Sequence, residues 1–249
     1  MLNFEKPIYK IAEYVENSNY GKFELEPLER GFGITLGNAL RRVMLSSMPG
    51  SAIVAIKIDG VMHEFQTIEG VVEDVTTIVL NLKNVVVKNH SEETKVCHIN
   101  VSEERVVTAA DIVCDSDVEI INKDQEIATL AKGGKLDMEL IIANGRGYVP
   151  ANENKEYADN SKIGYIPIDA LFSPITRINY EVEAARVGQD ANYDKLIMNV
   201  YTNGSLRPED AMALGAKILI EHLNIITNIS EIADMTGIMN SKQEDSKQK

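Results

Sequence analysis

Positive charge is scarce in this chain of 249 residues: 25 lysines and arginines stand against 38 aspartates and glutamates, a formal net charge of −13. Gripping nucleic acid through a surface field needs basic residues gathered against phosphates. The charge balance disfavours that class, and any acting surface is expected to meet protein instead. Cysteine is rarer still. Cys97 and Cys114 have no CxxC spacing and form no multi-cysteine framework, which argues against structural zinc and suits a reducing compartment. Neighbouring side chains in a strand face opposite ways, so Cys97 and His98 would not clasp a metal together. The four histidines, His63, His90, His98 and His222, are scattered. No apolar run approaches the roughly 20 residues of a membrane span. The opening MLNFEKPIYK has neither the basic nor the apolar region of a signal peptide, so a cytoplasmic protein is the expectation.

Catalytic signatures are equally sparse. A Walker loop needs Lys-Ser/Thr directly after its last glycine, whereas Gly37 is followed by Asn38-Ala39. A dinucleotide fingerprint needs a third glycine three residues after the second, where Gly33 is followed by Leu36. No nucleophile elbow appears, and no histidine stands beside a candidate nucleophile. Plentiful carboxylates keep acid–base chemistry open, so a free-standing dimeric enzyme is the rival class.

What is present is an ordinary globular composition, 44% hydrophobic and 25% charged, long enough for one large domain or two modest ones. Its organising stretch is LERGFGITLGNALRRVMLSSMPG, Leu28 to Gly50. Gly31 and Gly33 suit a turn, the run from Thr35 to Met48 is interrupted only by Gly37, and Pro49-Gly50 stops it. On helical spacing Leu36, Leu40, Val43 and Ser47 form one stripe. Arg41, Leu45 and Met48 form another, about 140° away at roughly 3.6 residues per turn. Such a helix has two faces to bury. Whether both lie inside one domain or one awaits a partner is left open by the pattern. The adjacent Arg41 and Arg42 suit either a solvated face or a protein contact.

Taken in order, Ile8 to Tyr14 and Tyr20 to Leu28 read as a hairpin around Asn17-Ser18-Asn19, its second strand alternating Phe23 and Leu25 with charge so that one face can lie under the helix. After Pro49-Gly50 the texture turns to short β-branched segments. Ile53 to Ile58 and Val61 to Phe65 flank the hairpin signal Asp59-Gly60. Val71, Val75, Ile78, Val79 and Leu82 predict a short amphipathic helix. Strands are expected at Val85 to Lys88, Lys95 to Val101, Val118 to Ile121, Glu126 to Leu130 and Leu136 to Ile142, with loops at Asn144 to Tyr148 and Asn152 to Ser161. Ile175 to Val187 and Lys195 to Thr202 predict two longer strands, and Pro208 opens a helix reaching about Ile229. That helix again has two apolar stripes: Ala211, Leu214, Ile218, His222, Ile225 and Ile229, and Met212, Ala216, Leu219, Leu223 and Ile226. The tail beyond Ile238 is polar and expected to be disordered.

Several of these segments resemble, in order, the signature of the bacterial RNA polymerase alpha subunit, in its N-terminal assembly domain. They are the Leu28–Gly50 stretch, IDGVMHEF from Ile58, EGVVEDVTTIVLNLK from Glu69, GRGYVPA from Gly145 and VEAARV from Val182. The resemblance implies an α+β fold, with a discontinuous dimerisation domain at 1–49 and 173–235 built from an antiparallel sheet and two long helices. A mostly β domain at 50–172 would be inserted into it, and 236–249 would begin a flexible linker.

It further implies a non-catalytic subunit that homodimerises and scaffolds the beta and beta-prime subunits. Carried across by motif, Arg41, Arg42 and Leu45 would contact beta, and Lys83, Ile168 and Arg186 would lie on the beta-prime surface. On residue type alone, Lys83 equally suits a helix C-terminus and Ile168 a core position. Leu36, Leu40, Leu219, Leu223 and Ile226 are the expected dimer residues. No cofactor is expected in this chain, the catalytic magnesium belonging to beta-prime, and transcription activators are further candidate partners. The family continues through its linker into a small DNA-binding domain, so this chain would stop within the linker.

Overall fold

A computed structural model describes residues 7–14, 19–159, 164–188 and 190–227. The first elements are β1 (Ile8–Tyr14), β2 (Tyr20–Glu29), α1 (Phe32–Ser46), β3 (Pro49–Ile58) and α2 (Val75–Leu82). There follow β4 (Val87–Asn89), β5 (Lys95–Val101), β6 (Val106–Thr108), β7 (Val118–Ile120), β8 (Glu126–Thr129), β9 (Leu136–Arg146) and β10 (Tyr148–Val149). The chain closes with α3 (Lys155–Asp159), β11 (Ile166–Pro167), β12 (Ala170–Leu171), β13 (Ile175–Val187), β14 (Asp190–Thr202) and α4 (Pro208–Thr227). The fold is α+β with antiparallel pairing throughout the named strands. It divides into two compact units: 1–45 with 175–202 and 206–249, and 46–174 with 203–205. The last residues of the expected terminal helix, Asn228 and Ile229, and the expected linker at 236–249 lie outside the described residues, as do Asn160 and Ser161 of the acidic loop.

The first unit carries the sheet β1-β2-β14-β13. Where the glycines of α1 approach this sheet, the helix meets β13 and β14, whereas the alternation of Phe23 and Leu25 points to β2. Its buried residues are Gly33, Gly37, Leu40 and Met44, one helical stripe at i, i+4, i+7 and i+11. This corrects the phase read from the sequence: Leu36 and Val43 are half-buried, and two of the four inward positions are glycines, which carry no hydrophobic signal. Their smallness is required by contact. A Cβ at Gly37 would stand 2.6 Å from Tyr180 Cδ2 and 2.9 Å from Leu196 Cδ1, and one at Gly33 would stand 2.7 Å from Val182 Cγ1. A third glycine brings the two helices together, since a Cβ at Gly215 of α4 would lie 2.6 Å from Met44 Cγ.

The second unit is built on the sheet β11-β3-β9-β5. Its central strands bury both faces. Ile53, Ile56, Leu140 and Ile142 join the large core that also holds Val75, Ile78 and Leu82 of α2, whereas Ala52, Val54, Ile141 and Ala143 pack with Ala170 and Phe172. Strands buried on both sides read as continuous apolar runs, and the register shift between Ile53 and Ala55 accommodates the crowding. The Asp59-Gly60 turn is present, with Gly60 at φ +77°, but no hairpin follows it. The neighbours of β3 are β9 and β11, and Gln66 Oε1 gathers the Met62 and His63 N–H groups into a loop. Helix α2 starts at Val75 instead of Val71, because Asp74 caps it by accepting from Thr77 N at 2.8 Å while Val71 bridges to Leu130.

Cys97 and Cys114, which show no framework in sequence, are joined as a disulfide. His98 and Val113, one residue inward of each, exchange backbone hydrogen bonds and bring the sulfurs together. Asn144 to Tyr148, expected as a loop, is the end of β9 and the start of β10. Gly145 is needed there because the Phe172 ring lies 2.7 Å from where its Cβ would be.

The glycine contact yields a test in which two effects oppose. Gly→Ala inside a helix is worth about 1 kcal/mol in propensity, whereas forcing an extra methyl group into a packed contact costs about 1–3 kcal/mol. Overpacking should win at Gly37, so Gly37→Ala is expected to lower the unfolding free energy by ~1 kcal/mol in urea denaturation. A stabilised variant would show that α1 does not lie this close to β13 and β14.

Candidate partner-binding surfaces

Helix α1 is fixed from three directions, and this decides what it presents. Its unpaired N-terminal amides are met from a distant strand: Asp194 Oδ2 on β14 accepts from Gly31 N at 2.8 Å and Gly33 N at 3.2 Å, the role an N-cap side chain otherwise fills. Gly31, at φ +90°, turns the chain into this position, where other residues would be strained. The close approach at Gly33 and Gly37, and Met44 against Gly215, fix the helix's rotation about its axis. Arg41, Arg42 and Leu45 are consequently all exposed. Leu45 is 38% exposed and follows Ile34, 59% exposed, on the same outward stripe as Asn38 and Arg41. Apolar surface flanked by paired guanidinium groups is chemistry suited to a protein partner.

The expected dimer residues separate. Leu40 is 6% exposed within its own chain and belongs to the core of its unit. Leu36 and Leu219 are half-buried, and Leu223 and Ile226 are exposed. Helix α4 changes character along its length. Pro208, Ala211, Met212 and Gly215 are buried, whereas from Ile220 to Thr227 every residue is exposed. Ile220, Leu223, Ile225 and Ile226 each keep 55–69% of their surface accessible. Both apolar stripes emerge from cover in the second half of the helix.

In the second unit, Lys83 ends α2, and its Nζ reaches Asp169 Oδ2 at 2.7 Å. Ile168 beside it is 3% exposed and in the core, where its N–H donates to Val54 O and its carbonyl accepts from the buried Asn154 side chain. The exposed neighbours are Tyr148 and Leu171, opposite one another across β10 and β12 at 61% and 64% exposure. Arg186 lies exposed on β13 of the first unit. Among the described residues, no group of three or more His, Cys, Asp or Glu is placed to hold a metal ion, and no helix is long and apolar enough to cross a membrane.

Asp169 and Asp194 are the two residues that sequence reasoning missed. Each is a carboxylate in a largely apolar strand or its flank, a weak signal alone, and its partners lie 86 and about 160 residues away. The Lys83 ammonium and the Ala151 N–H hold the Asp169 carboxyl below its usual range. A folded-state pKa lowered in this way contributes stability that is present above the unfolded value of about 3.9 and lost as pH falls through the folded one. The gap in thermal midpoint between wild type and Asp169→Asn is therefore expected to be widest near neutrality and to close as the solution is acidified below about pH 4. A gap independent of pH would mean that the pair contributes nothing through its charge.

Residues 55–173 match the family described as the RNA polymerase Rpb3/RpoA insert domain. The whole chain is 55% identical over 249 residues to the DNA-directed RNA polymerase subunit alpha of Oceanobacillus iheyensis, covering 79% of that protein. On identity of this extent along its full length, the chain belongs to the family of bacterial RNA polymerase alpha subunits.

Proposed function

We propose that this chain acts as a homodimeric scaffold on which the large catalytic subunits of RNA polymerase assemble, itself carrying no catalytic group. The observation that carries the reading is the second half of α4. Residues from Ile220 to Thr227 are exposed on every side, yet they include Leu223, Ile225 and Ile226. A short helical end gains little stability without a packed face, and a second copy of the same helix supplies one by two-fold symmetry. Burying Leu223 in this way contributes about 1.5–3 kcal/mol per copy.

The exposed Arg41, Arg42 and Leu45 then serve the beta subunit. In the second unit the beta-prime surface centres on Lys83 and Asp169 with Tyr148 and Leu171, and Arg186 of the first unit is a separate beta-prime contact. Nucleotidyl transfer, and the magnesium it uses, are left to the beta-prime partner. The net charge of −13 favours protein contacts over a grip on phosphate. Transcription activators are further candidate partners in this reading. The rival, a free-standing enzyme, predicts turnover by the isolated chain.

Two substitutions separate the surfaces. Leu223→Asp is expected to convert a dimer to monomer by light scattering at micromolar concentration, whereas Arg42→Ala keeps the dimer mass. The Arg42→Ala dimer is expected to lose beta in co-purification by about 30-fold, the effect of removing an interface arginine worth ~2 kcal/mol. A wild-type chain with the mass of one protomer, or undiminished recovery of beta by Arg42→Ala, would overturn the corresponding assignment.

A further inference from the structure

The Cys97–Cys114 pair takes no part in the surfaces above. Its two residues differ in access: Cys97 on β5 is 0% exposed, whereas Cys114 is partly buried against the core. Cys114 also lines a surface cavity of about 420 Å³ together with His90, Ser116, Glu119 and Lys123. That volume falls within the range of small-molecule sites. Glu119 is met by His90 Nε2 at 3.8 Å, and Lys123 adds an ammonium group to the lining. The mutual backbone hydrogen bonds of His98 and Val113, at 2.9 and 2.8 Å, do not involve the sulfurs. They keep the two cysteines adjacent whether the S–S bond is open or closed.

We infer that this pair is a thiol-exchange site, at which a low-molecular-weight thiol joins Cys114 through the cavity. In the opening direction the small thiolate attacks Cys114 Sγ. A mixed disulfide forms, the Cys97–Cys114 bond breaks, and Cys97 leaves as a thiolate that takes a proton from water. In the closing direction the Cys114 thiolate attacks the disulfide of the small thiol and releases one thiol. Cys97 then attacks Cys114 Sγ and releases the second, so two electrons pass from the cysteine pair to the small disulfide. Cys97 is the resolving residue because no outside reagent reaches it.

The probe is glutathione disulfide, added to the reduced full chain near neutral pH. Acid quenching and peptide mapping by mass spectrometry then locate the adducts. Cys97→Ser is expected to accumulate one glutathione at Cys114. Folded Cys114→Ser should take up none at Cys97 until denaturant is added. In wild type, early quenching should find the adduct on Cys114 and late quenching the internal disulfide, a reading that does not depend on either variant folding. Uptake at Cys97 in the folded Cys114→Ser chain, or first uptake at Cys97 in wild type, would overturn the assignment of roles. Absence of any adduct in folded wild type and Cys97→Ser would overturn the site.

Discussion

The distance between α1 and the strands beneath it sets much of what the first unit can do. Gly33 and Gly37 let the helix backbone come within a side chain's thickness of Tyr180, Val182 and Leu196. Asp194 then ties its first amides to β14. A side chain at either glycine would lift the helix, weaken the carboxylate cap and turn the outward stripe. With the helix seated, Leu40 and Met44 go into the core, and Ile34, Arg41 and Leu45 have no direction left but outward. The same seating places Met44 against Gly215, so the start of α4 is held while its end runs past the cover its own chain supplies. Presentation of the arginine pair and exposure of the α4 tip thus follow from one close contact.

The second unit uses a different device. Its central strands are covered on both faces where they are wholly apolar, at 52–56 and 140–143, and its candidate surface is made by short elements at the margin. Asp169 gathers the end of α2 through Lys83 and the segment after β10 through the Ala151 N–H. Tyr148 and Leu171 form an exposed cross-strand pair on β10 and β12. One carboxylate organises the polar part of this region, as Asp194 does for α1 in the first unit.

Much of this was legible in the sequence, for reasons that differ by element. The β1–β2 hairpin, the long β13–β14 pair, α4 and the extent of β5 follow from alternation, helical spacing and turn residues, which are local properties. The phase of α1 was not legible, because its innermost positions are glycines whose role is set by strands about 150 residues away in sequence. Asp59-Gly60 makes the turn that its residues imply but not the hairpin, since β9 and β11 take the pairing that a hairpin would have used. Asp169, Asp194 and the cysteine pair are long-range or cross-strand associations, and spacing carries no trace of them. Arg41 and Arg42 could be singled out as a protein contact or a solvated face, but only the seating of α1 decides which way they point.

The central claim is that the second half of α4 is covered by a second copy of the chain. Amide hydrogen exchange along the helix, followed as the protein is diluted, tests it most directly, because a helical end without a packed face opens readily. Protection of residues 216–227 that falls on dilution, while that of residues 36–44 in α1 holds, is the predicted result. Rapid exchange of 216–227 at every concentration would contradict the account.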